Sequence, residues 1–140
     1  MLKSFFTSYK SSFIKFDSRE IASHYQCPVT FYTESGESMN FDKRHLVRNL
    51  ESLLKMYRKL DVVNAEFKVI ACQNISEHFK LATVDWLFLN SKNAVIYETL
   101  TKYILQGPDN SVKINAVFVI DESEKYGEAL ESLRAKLENA

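Results

Sequence analysis

Few side chains in this sequence could do chemistry, and they are scattered. The acid/base candidates are Asp85, His24 and Tyr9. Asp85 interrupts the apolar run from Ala82 to Leu89. A carboxylate there either faces solvent or is buried with a raised pKa and available as a base. The other two histidines, His45 and His78, have no second histidine at ligand spacing, so no metal site is expected. Cys27 and Cys72 form neither a Cys-x-x-Cys pair nor a disulfide framework. They read as isolated thiols of a reducing compartment, without a base to activate them. No cofactor motif is present in the sequence.

The elements that must position these groups follow from periodicity. Leu2, Phe5, Phe6, Tyr9, Phe13 and Phe16 recur at helical spacing. Asp17 to Glu20 resembles a capping box opening a short second helix, with Ile21, Ala22 and Tyr25 on its apolar face. Pro28 ends that helix, and an extended run over 29–33 follows, with a turn at Ser35-Gly36 and a short return strand over 38–41. Asp42 caps a long helix over 43–60, whose stripe is Leu46, Val47, Leu50, Leu53, Leu54 and Tyr57. Four β-rich segments come next, over 62–75, 78–90, 94–106 and 111–120. The short gaps between them predict an antiparallel meander. A last helix over 122–139, opened by Asp121 to Glu124, carries Tyr126, Ala129, Leu130, Leu133 and Leu137.

The 140 residues fit one domain, residues 1–140, of α+β class. Its sheet is a strongly curved antiparallel one, with helices packed on one face. Lys plus Arg equal Asp plus Glu at 18 each, which argues against a nucleic-acid binder. The charges are nonetheless segregated. Lys43, Arg44, Arg48, Lys55, Arg58 and Lys59 make the long helix basic, and the last twenty residues are acidic. Solvated helix faces account for both runs, and docking of the acidic tail near the basic helix is the sharper alternative. No apolar run is long enough for a membrane span or a signal sequence. A cytoplasmic location is expected by elimination.

Two stretches carry a family resemblance. One runs from Tyr9 to Asp17, through Ile21 and Tyr25, to the strand over 29–33 and Gly36. The other runs from Tyr97 to Leu105, then Gly107 and the closing strand over 112–119. In the order of their elements they resemble the nuclear transport factor 2-like superfamily over residues 5–121, in its SnoaL-like and ketosteroid isomerase-like branches. That resemblance implies a cone: a curved antiparallel sheet wrapped on three helices from the N-terminal half, plus the extra C-terminal helix. It also implies residue roles. Tyr9 falls on the oxyanion-hole tyrosine of the isomerases, Thr33 on their general-base aspartate, and Thr101 on their protonated aspartic acid. Threonine is far too weak a base to relay a proton between carbon centres near neutral pH. The usual isomerase design is therefore not expected here.

Strand alternation puts Tyr97, Thr99, Thr101 and Tyr103 on one face, which the resemblance turns inward. With Tyr9, Phe13, Phe31 and Thr33, and with Asn115 or Phe118 according to register, they either fill the cone or line an aromatic cavity bearing hydroxyls. The leading expectation is a pocket for an uncharged or weakly polar small molecule, with no cofactor. The alternatives are a cofactor-independent isomerase, cyclase or dehydratase using Asp85 or His24, and an association module without ligand. Largely apolar side chains on both faces of the 82–89 strand point to a homodimer through the outer face of the sheet.

Overall fold

A computed structural model describes residues 2–120. Three helices, α1 (Leu2–Ile14), α2 (Ser18–Ala22) and α3 (Lys43–Lys59), accompany six strands. The strands are β1 (Tyr25–Tyr32), β2 (Ser38–Phe41), β3 (Val62–Asn74), β4 (Phe79–Asn90), β5 (Val95–Gln106) and β6 (Lys113–Val119). They form one curved, open sheet in the order β2-β1-β6-β5-β4-β3. The four long strands are the expected antiparallel meander, and β1 joins it parallel to β6. The helix expected over 122–139, and any docking of it, lie outside the described residues.

The helices start where their caps say. The Asp17 carboxylate accepts from the Glu20 amide at 3.1 Å, and that of Asp42 from the His45 amide at 2.8 Å. The α3 stripe buries Leu46, Leu50, Leu54 and Tyr57, while the basic residues between them stay exposed. Helix α1 ends in a Schellman motif: the Phe16 amide donates to the Phe13 carbonyl at 3.0 Å and the Asp17 amide to the Ser12 carbonyl at 3.3 Å. Phe16 sits at φ 56, in the left-handed region, and the Arg58 guanidinium lies 4.9 Å from its ring centre.

The core lies between the helices and the concave face of the sheet. Phe6 is fully buried at its centre, with ring centres of Tyr103, Phe67 and Trp86 at 5.2, 6.1 and 6.3 Å. Two expectations are corrected. Tyr25 is not on the second helix; it opens β1, three residues before Pro28, which the strand absorbs at a break in its register with β6. An edge or an irregularity is where a strand tolerates a residue without an amide donor. His24 likewise lies in the turn between α2 and β1, not on a helix.

Candidate functional site

A cavity of about 90 Å³ opens between α1, α3 and the concave face of the sheet. Its deepest walls are Tyr9 from α1, Trp86 from β4, and Thr99, Thr101 and Tyr103 from β5, all less than 6% exposed. Half-buried Phe31, Leu53 and Val119, with exposed Asn49, form the rim. The strand period explains the wall. Cross-strand register sets Thr99 opposite Trp86, and Thr101 opposite Val84 and Val119, so alternate residues of β5 face the helices.

The hydroxyls in this wall differ in their partners. The Tyr9 and Tyr25 hydroxyls share a hydrogen bond. The Trp86 indole donates to the Tyr103 hydroxyl at 2.9 Å. Thr99 Oγ1 is buried and has no hydrogen-bond partner among the described residues. Among the described residues lining the cavity there is no carboxylate, imidazole, ammonium or guanidinium group. A charged ligand would therefore enter without a counter-charge, at a large desolvation cost.

Six of the expected pocket residues come together at this cavity: Tyr9, Phe13, Phe31, Thr99, Thr101 and Tyr103. Tyr97 shares their face but packs behind the wall, its ring centre 4.6 Å from that of Phe88 and 6.1 Å from that of Tyr57. The other three lie elsewhere. Thr33 follows β1 in the hairpin turn, where its hydroxyl accepts from the Glu37 amide at 3.1 Å and meets the Ser35 hydroxyl at 3.0 Å. Asn115 occupies a bulge in β6, because Leu105 pairs with Ile114 and Ile104 already with Ala116. The extra residue reverses the alternation, so Val117 and Val119 line the cavity and Phe118 turns to the convex face, stacked on Tyr32 at 4.7 Å.

Neither acid/base candidate other than Tyr9 reaches the cavity. Asp85 stands on the convex face opposite Lys68 of β3, since its neighbours Val84 and Trp86 take the buried side. His24 is a staple between elements. Its Nδ1 is 2.9 Å from the Glu20 carbonyl oxygen, its Nε2 is 3.0 Å from the Ser8 hydroxyl, and its ring packs edge-on against Phe5 and Tyr9. Among the lining residues that sequence reasoning missed are Tyr25, Asn49, Leu53, Tyr57, Trp86 and Val117. Leu53 and Tyr57 were visible as the α3 stripe, but a stripe that closes a core and one that roofs a cavity have the same period. No cluster of three or more His, Cys, Asp or Glu side chains able to hold a metal occurs among the described residues. No helix among them is long and apolar enough to cross a membrane.

Residues 2–122 match the family described as NTF2-like protein (DUF6841). No curated protein matches the sequence. Among solved structures, a domain of unknown function with a cystatin-like fold from Nostoc punctiforme is similar at TM-score 0.69 and 11% identity, over 99% of this chain and 95% of that one. An NTF-2 like protein of unknown function from Shewanella oneidensis is similar at TM-score 0.66 and 11% identity, over 86% and 96%. A ketosteroid isomerase-like protein from Erwinia carotovora is similar at TM-score 0.59 and 10% identity, over 85% and 92%. At such identities the similarity speaks for the fold alone.

Proposed function

The chain belongs to the NTF2-like family DUF6841, and from that premise we propose that its cone is a binding pocket for a small, uncharged or weakly polar molecule. The observation that carries this reading is the composition of the cavity wall. Aromatic rings supply apolar contact, a few hydroxyls and one carboxamide supply direction, and among the described residues of the wall no ionised group matches a charged ligand. The alternative, a proton-transfer enzyme using Asp85 or His24, lacks support from geometry, because neither side chain lines the cavity. Native mass spectrometry on protein purified without added ligand tests the proposal. A releasable extra mass from a neutral compound supports it. A bare protein mass, together with no gain in melting temperature from a panel of small neutral molecules, contradicts it and favours an association module.

The convex face supports a second proposal, that two copies pair through it. Register carries an apolar row across the sheet from Ala116 to Ile104 and Leu81, and sets Phe118 beside Tyr32. The same face carries Lys68, Asp85, Glu98 and Lys102. A twofold interface sets one patch against its own copy, and a patch that carries both signs is not self-repelling there. Leu81, Ile104 and Ala116 are half-buried and Phe118 is exposed, and apolar surface of this kind is what an interaction face presents.

A further inference from the structure

Resting on the pocket reading above, we propose that Thr99 is the polar anchor of the cavity. The ligand it selects is a compact neutral molecule carrying a hydroxyl or carbonyl oxygen. Thr99 is 3% exposed, and its hydroxyl has no partner among the described residues. A buried hydroxyl left unpaired is costly, so such a group calls for an explanation. Nearby polar groups are engaged with one another, Tyr9 with Tyr25 and Trp86 with Tyr103. The threonine hydroxyl donates one hydrogen bond and can accept others. An oxygen atom on the ligand answers the donor, and a ligand hydroxyl answers both roles.

Size narrows the class further. The cavity measures about 90 Å³, whereas an engineered cavity of about 150 Å³ takes up benzene. The enclosed part of the ligand is thus smaller than a benzene ring, on the order of five non-hydrogen atoms. Anything more must extend past Asn49 at the rim. A fused polycyclic skeleton does not fit inside. Uncharged character follows from the wall, where a carboxylate or ammonium group would be buried without a partner among the described residues.

The test uses two probes of one shape, 2-methylpropan-1-ol and 1-chloro-2-methylpropane, titrated into the full chain and followed by protein NMR shifts. The chloride leaves water more readily than the alcohol, so the readout is the ratio of the two affinities, which Thr99→Val is expected to shift about tenfold toward the chloride, because only the alcohol satisfies Thr99. Thr99→Val keeps the shape of the side chain and should show that shift; Thr99→Ser keeps the hydroxyl and should keep the ratio of the unmutated protein. A ratio in the folded Thr99→Val protein equal to that of the unmutated protein overturns the anchor role and leaves the pocket reading standing, as when a water satisfies the hydroxyl instead. If neither probe binds the unmutated protein, the pocket reading itself is contradicted, and the anchor with it.

Discussion

Thr99 and Thr101 face the cavity, and the resemblance sets the second of them where the isomerases use a carboxylic acid. Both threonines are less than 5% exposed, and Thr101 offers a hydroxyl where an acid would offer a proton donor of much lower pKa. Tyr9 does line the cavity, hydrogen-bonded to Tyr25, but Thr33, matched with the general base, is engaged in the hairpin turn. The residue-by-residue resemblance therefore places two of its three positions in the cavity and loses the one that would have moved the proton. Ligand-free Thr99→Val protein should be more stable than the unmutated chain by about 1 kcal/mol, since it removes an unpaired buried hydroxyl. Equilibrium urea unfolding measures this. A loss of stability would mean that the hydroxyl has a partner.

At the scale of elements, ends are set by local chemistry that single substitutions can probe. Phe16 occupies the left-handed position of a Schellman motif that favours glycine. Phe16→Ala and Phe16→Gly both remove the ring and its contact with Arg58, yet only glycine relieves the backbone. Phe16→Gly should therefore be the more stable of the two by about 1 kcal/mol in thermal or urea unfolding. Equal stability would show that the backbone relaxes out of φ 56 once the ring is gone. At α3, hydrogen bonds from the His45 backbone, then from its side chain, hold the Asp42 carboxyl below its ordinary pKa. A lowered folded-state pKa stabilises above the unfolded value of about 4, and that contribution is lost as pH falls through the folded value. Asp42→Asn keeps a capping acceptor but does not titrate. The melting-temperature advantage of the unmutated chain over this variant should shrink between pH 6 and pH 3, and parallel curves would contradict the assignment.

Legibility in the sequence divides along the same line. Cap residues and long stripes announced α1, α3 and the meander, because 3.6-residue and two-residue periods survive over 12 residues or more. Positions at irregularities did not announce themselves. The bulge at Asn115 reversed the faces of β6, and a strand that passes through Pro28 took Tyr25 from a helix. Both depend on contacts between strands far apart in sequence. Asp85 followed the opposite rule: its alternation was legible, but which side of β4 faced the helices was not.

For the whole molecule, the two faces of the sheet divide the work. The concave face and the helices enclose the cavity, and the convex face carries Tyr32, Phe118, Ile104, Leu81 and Leu100 into contact with solvent or a partner. Phe118 is 36% exposed and has no place in the buried core cluster, so Phe118→Arg should leave the fold intact. If two copies pair through this face, analytical ultracentrifugation will find a dimer for the unmutated chain and a monomer for this variant at equal concentration. A monomer in both would contradict the pairing without touching the cavity.

A binding role requires above all that the cavity admit a ligand. Leu53 lines its rim from α3 and is only half-buried, so Leu53→Trp can narrow the mouth without entering the core. Titration of both proteins with 2-methylpropan-1-ol, read by NMR shifts at residues lining the cavity, is the most direct test. Saturable one-to-one binding to the unmutated chain is expected, with weak or absent binding to the folded Leu53→Trp protein. No saturable binding to the unmutated chain, or equal binding to both, would contradict it.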